Sequence, residues 1–123
     1  MPKGYGSVIY AVDFDGTLCE ENWPDIGAPN LTLIEFLKKT RKEGGEVILY
    51  TMREGAKLDE AVKWCKNHGL YFDAINDNLP RIKALFGNNP RKVFANFYID
   101  DHNVFDFFYT KNGIDALPFM VSA

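Results

Sequence analysis

Asp13 and Asp15 stand two residues apart, directly after the apolar run Val8-Ile9-Tyr10-Ala11-Val12 and directly before Gly16-Thr17. A carboxylate can accept a phosphoryl group and later release it to water. A second carboxyl nearby can protonate the leaving oxygen and then take a proton from the attacking water, provided its pKa is raised enough to carry that proton. Acids gathered around a phosphate repel it unless a cation intervenes, and Mg²⁺ suits such a site because it takes oxygen ligands while keeping waters. Two further polar groups follow apolar runs in the same way: Thr51 after Val47-Ile48-Leu49-Tyr50, and Asp100-Asp101 after the run that closes on Ile99.

These residues need elements that bring them together. Five consecutive apolar residues ending at Asp13 read as a buried strand. Gly16 permits the turn that ends it and lets the two acids approach one centre from different directions. Gly16 to Ala28 is too polar and too broken by Trp23, Pro24 and Gly27 for regular structure. A first helix is predicted over 29–43, with Pro29 at its first position, Leu33, Ile34 and Leu37 on one face, and Gly44-Gly45 as the stop. The second strand covers Val47 to Tyr50. A second helix runs from near Glu54 to near His68, with Leu58, Ala61, Val62 and Cys65 at i, i+3, i+4 and i+7. Tyr71 to Ile75 reads as a third strand, followed by a turn and a short helix ending at Gly87. Val93 to Ile99 reads as a fourth strand, and a fifth is expected around Leu117 to Val121.

Strands alternating with helices imply a parallel sheet of about five strands between helical layers, that is, an α/β fold of three-layer α/β/α, Rossmann-like type in one domain spanning residues 1–123. In such sheets the site lies at the carboxyl ends of the strands. Asp13, Thr51 and Asp100, far apart in sequence, all fall at that edge.

With these residues in place, Asp13-Phe14-Asp15-Gly16-Thr17, the strand-end Thr51 and the pair Asp100-Asp101 resemble motifs I, II and IV of the haloacid dehalogenase superfamily, in the right order from Val8 to Asp101. The second aspartate of the first motif is the mark of the phosphotransferase branch. The resemblance implies a magnesium-dependent phosphatase of small, nucleotidase-like type that works through an aspartyl-phosphate. Asp13 would be the nucleophile and Asp15 the acid and base. Asp13, the backbone carbonyl of Asp15 and Asp100 would hold Mg²⁺, with Asp101 a direct or outer partner. Thr51 would bind phosphate through its hydroxyl, beside the open amides of a helix start, and Arg53 is placed to add charge.

The family's lysine is less clear. Lys92 fits a pattern in small nucleotidase-like members. If Val93 to Ile99 were one strand, however, Lys92 would lie about 20 Å from Asp100, at the wrong end of the sheet. That assignment therefore needs a short strand starting near Asn96. Lys83 and Arg81, near the start of the short helix, are the alternatives on the correct side. Only 38 residues separate Asp13 from Thr51, and the stretch from Asn76 to Lys92 is likewise short. Neither holds a cap domain, so the site should be open to a large or extended phosphorylated substrate: a nucleotide or nucleic-acid terminal phosphate, a sugar phosphate or a phosphoprotein.

Composition bounds the rest. A net charge of −3 and a pI near 5.3 argue against a general electrostatic grip on nucleic acid or anionic membrane. No apolar run reads as a signal peptide or membrane span, so a cytoplasmic protein is expected. Cys19 and Cys65 have no metal-ligand spacing and read as free thiols, and His68 and His102 read as a helix-end and a loop residue. Trp23 would either stack on a substrate base or cover the core. Eight aromatic residues fall between Phe94 and Phe119; core packing accounts for most, and an exposed remainder would make a homodimer. Two other classes compete with the phosphatase. A phospho-receiver signalling module shares the strand-end acids, threonine and lysine, but carries its acidic pair at the first strand and its acceptor later. A non-catalytic relic that binds metal and a phosphorylated partner would not need the intact acids.

Overall fold

The computed structural model describes residues 7–87 and 93–100. Within them the chain runs β1 (Ile9–Val12), α1 (Leu31–Lys42), β2 (Glu46–Leu49), α2 (Gly55–Asn67), β3 (Ala74–Ile75), α3 (Pro80–Phe86) and β4 (Phe97–Ile99). The four strands form one sheet of order β3-β2-β1-β4, and each pairing is parallel. Lys92, Asp101, His102, the expected fifth strand and most of the aromatic-rich segment lie outside the described residues.

All of β1 is buried because its two faces serve two cores. Tyr10 and Val12 join Val47, Leu49 and Ile99 beneath Leu33, Ile34 and Leu37 of α1 and Ala61 and Cys65 of α2. Ile9 and Ala11 join Ile48 on the opposite face, against Leu79 and Ile82 around α3 and against Val93 and Ala95. The sheet is thus covered on both sides, as the three-layer α/β/α expectation requires, and no inserted domain interrupts the described elements.

Local chemistry sets the element ends. Asn30, rather than Pro29, opens α1: its side chain accepts the Leu33 N–H at 3.2 Å, while its own N–H bonds the Leu18 carbonyl at 2.8 Å. Lys39, Arg41 and Lys42 sit in the last turn, where the helix dipole favours cations. The third strand is shorter than its sequence suggests. Asp73 is engaged by Arg41 at 3.0 and 3.2 Å and by the Val47 N–H at 2.8 Å, and ladder pairing begins only at Ala74.

The fourth strand is shorter too. Ahead of it, Phe94 N–H donates to Asn78 Oδ1 at 2.7 Å, and Asn96 exchanges two bonds with Ile9, one through its side chain. Those contacts draw 93–96 out of the ladder. The short strand that the Lys92 assignment needs is therefore present.

Chain direction matters most for the site. From β1 the chain steps through α1 to β2 and through α2 to β3 on one side, then returns through α3 to β4 on the other side of β1. The strand order reverses between β1 and β4. In open α/β sheets, ligands bind in the crevice at the carboxyl end of such a switch point.

Candidate active site

Asp13 and Asp100 occupy that crevice. Val12 pairs with Ile99 in the ladder, and the Asp13 N–H donates to the Ile99 carbonyl at 2.9 Å, so the two aspartates are neighbours at the ends of adjacent strands. Asp13 Oδ1 accepts the Phe14 N–H at 2.7 Å, which sets the rotation of its carboxylate. The turn that follows takes Gly16 to a φ of 79°, open to glycine and strained for other residues.

Asp15 is held by Arg53. Arg53 Nε donates to Asp15 Oδ2 at 2.8 Å and Nη2 to Oδ1 at 2.7 Å, a bidentate pair. Nη2 also reaches the Asp25 carbonyl at 2.9 Å, and Nη1 the Pro24 carbonyl at 3.4 Å. The guanidinium carbon stands 5.0 Å from the centroid of Phe14 and 4.9 Å from that of Trp23. Arg53 is only 2% exposed. The Asp15 carboxylate beside it pushes its pKa up, so its charge is permanent. Arg53 was expected to add charge to a phosphate from an open helix start; instead its donors are turned inward to Asp15 and two loop carbonyls.

Thr51 fits its expected place at the end of β2, next to β1. Its Oγ1 accepts the Arg53 N–H at 3.1 Å, which leaves the hydroxyl proton able to donate elsewhere. Its N–H donates to Asn76 Oδ1 at 2.8 Å. Asn76, just past β3, adopts a φ of 50°, a left-handed conformation that asparagine tolerates better than most residues. Sequence reasoning took Asn76 for an ordinary turn residue; its left-handed tolerance was legible, its bond to Thr51 was not. Beyond Arg53, α2 begins without a side-chain cap from Glu54 and without an acid in its first turn, leaving amides and the positive dipole end open to an anion.

The cations proposed to stand beside Asp13 divide. Arg81 is at the other edge of the sheet, where it donates to Glu46 at the start of β2 and to the Ser7 carbonyl at 3.0 Å. The expectation that it lay on the site's side is corrected: β3 is too short to carry the chain far, and the long side chain reaches back to the buried Glu46. Lys83 Nζ is held by Asp77 at 2.7 Å. Lys92 lies outside the described residues.

Asp13 and Asp100, at the ends of adjacent strands, are oxygen donors of the kind Mg²⁺ takes, one or two carboxylates with the rest of the shell left to water and phosphate. The Asp15 carboxylate is given to Arg53, and among the described residues no group of three or more His, Cys, Asp or Glu could hold a metal ion. Among the described residues, no helix is long and apolar enough to cross a membrane.

No protein-family model matches this chain, nor does any curated protein. A solved structure of a conserved protein coded by a locus from Bacteroides thetaiotaomicron matches it with a TM-score of 0.70 and 38% sequence identity. The match covers 85% of this chain and 88% of that one. Likeness of that degree over most of both chains extends beyond the architecture to the sequence that builds it, and the chain belongs to the same family as this conserved Bacteroides protein.

Proposed function

We propose that the chain is a magnesium-dependent phosphomonoester hydrolase of haloacid dehalogenase type. The observation that carries the reading is the pairing of Asp13 and Asp100 at the switch point between β1 and β4, with the Thr51 hydroxyl at the next strand end. Two carboxylates side by side repel each other and any phosphate, so the arrangement makes sense around a cation.

In this reading an Asp13 oxygen attacks phosphorus, the bond from phosphorus to the ester oxygen breaks, and the departing alcohol takes a proton from Asp15. Water then gives a proton to Asp15 and attacks the aspartyl-phosphate; its bond to Asp13 breaks and inorganic phosphate leaves. Asp13, Asp100 and the Asp15 carbonyl would hold Mg²⁺, with Asp101 a direct or outer partner, and the ion would supply positive charge against the phosphate. The Thr51 hydroxyl and the first amides of α2 orient the phosphate. Arg53 acts through Asp15: both Asp15 oxygens accept from the guanidinium, and for Asp15 to hand over a proton one of those two bonds gives way to a bond with the ester oxygen while the other keeps the pair together. Lys92 is the cation proposed beside the nucleophile.

The test is turnover of a generic aryl phosphate with and without Mg²⁺, with Asp13→Asn as control. Turnover that needs the metal and is lost in the variant is expected. No turnover, together with a long-lived acyl phosphate on the intact protein, would overturn the reading in favour of a phospho-receiver.

A further inference from the structure

We infer that Trp23 is the stacking platform for a planar base in the substrate, and that the alcohol cleaved from phosphate is a nucleoside or the end of a nucleic-acid strand. The inference rests on the phosphomonoester reading of the site and narrows its substrate class. Three large apolar side chains stand exposed at the carboxyl edge of the sheet: Trp23 at 56%, Tyr50 at 50% and Met52 at 96%. Tyr50 and Met52 flank Thr51 in sequence, and Trp23 lies against Arg53, the partner of Asp15. Single exposed apolar residues are ordinary on a protein surface; these three belong to the two segments that Arg53 ties together, its own and that of Trp23, Pro24 and Asp25.

Trp23 is also held. The guanidinium of Arg53 lies 4.9 Å from its ring centroid, and the Trp23 N–H donates to Glu21 Oε2 at 2.8 Å. A cation is attracted to the face of an aromatic ring, and this cation is itself clamped between Phe14 and Trp23. More than half of the Trp23 surface nevertheless stays in water. A ring fixed in place and still open is pre-organised to stack on another ring.

Position selects the kind of aromatic ester. The Arg53 guanidinium bonds Asp15 through its nitrogens and has the Trp23 ring against its face, so Trp23 and Asp15 share one cation as neighbour. In an aryl phosphate, such as a phosphotyrosine side chain, the ring is bonded to the ester oxygen and would sit over Asp15. In a nucleotide a ribose intervenes and sets the base one spacer away from Asp15, the position we assign to the Trp23 platform.

The experiment compares a nucleoside 5′-monophosphate, glycerol phosphate and p-nitrophenyl phosphate on the intact protein with Mg²⁺, against Trp23→Ala and Trp23→Phe. Expected with Trp23→Ala is a modest fall in kcat shared by all three esters, from lost packing against Arg53, and beyond it a further fall in kcat/KM of about tenfold or more for the nucleotide alone, most of that excess being restored by Trp23→Phe. A circular dichroism spectrum and melting transition close to the parent's show that the variant is folded. An equal loss on all three esters, or on none, overturns the inference, and so does a loss on p-nitrophenyl phosphate matching that on the nucleotide. Should the protein hydrolyse no ester, calorimetric binding still separates the ideas. Tighter binding of the nucleotide than of glycerol phosphate, abolished by Trp23→Ala, supports the platform while the hydrolase reading falls. Equal affinity for both overturns the platform.

Discussion

A buried guanidinium is tolerated only when its donors are met, and Arg53 meets its need with both Asp15 oxygens, two loop carbonyls and two aromatic faces. Removing one partner of such a pair strands the other, which typically costs about 3–5 kcal/mol. Arg53→Met should therefore lower the melting temperature by on the order of 10 °C, as calorimetry would read it. Arg53→Lys keeps the charge but not the fork, and should recover only part of the loss. The kinetic signature separates two roles for Arg53. If it positions Asp15, the lysine variant loses kcat, on the order of 100-fold, with KM for the phosphate ester nearly unchanged. A rise in KM with kcat preserved would instead place Arg53 on the phosphate. Nothing in Thr51-Met52-Arg53-Glu54 marks the arginine as buried. Its shell comes from Phe14 and from the loop of Trp23, Pro24 and Asp25, and a reading of local spacing cannot see across that separation.

At the scale of elements, the site depends on how strand ends are tied to one another. Thr51 at the end of β2 is fixed from β3, because Asn76 takes the Thr51 N–H on its side chain and gives its own N–H to Leu49. Asn76→Ala removes one hydrogen bond and sets a less tolerant residue at a positive φ, a combined cost of about 2 kcal/mol. Asn76→Gly relieves the backbone without restoring the bond. Chemical denaturation should thus find the glycine variant closer in stability to the parent, while both variants share a KM for phosphate ester raised about tenfold. If the glycine variant recovers KM as well, Asn76 serves the turn alone and Thr51 does not depend on it. The helices were largely legible, α2 to within a residue at each end and α1 to within two, since their apolar periodicity is strong. The third and fourth strands were read too long. Their flanking residues are apolar enough for a ladder, and side-chain bonds from Asp73, Asn78 and Asn96 decide otherwise.

For the whole molecule, the alternation of strands and helices revealed the parallel sheet. The apolar run ending at Asp13 and the one ending at Asp100 revealed which strand ends face the same side. What could not be read was adjacency: that β4 lies beside β1, so that Asp13 and Asp100 are neighbours, is a property of strand order alone. The same packing gives the fold a dependence on pH that belongs to the folded state as a unit. Cys65 lies on the inner face of α2 in the core shared by α1, α2 and the sheet. Burial pushes its thiol from an ordinary value of 9.0 up to about 12. Unfolding releases it to water, where it ionises near 9. Below that pH both states carry the proton and stability is unaffected. Between about 9 and 12 the unfolded chain holds fewer protons than the native one, so stability falls as pH rises, by up to about 1.4 kcal/mol per pH unit. Denaturant titrations at pH 8 and pH 10 should differ by about that amount, and Cys65→Ala should narrow the gap, even though its smaller side chain lowers stability at both. A gap of the same size in the alanine variant would mean that other groups carry the alkaline loss. In parallel, the native protein at pH 8 should resist thiol reagents at Cys65 until denaturant opens the core, because the reactive thiolate does not form while the helix stays packed.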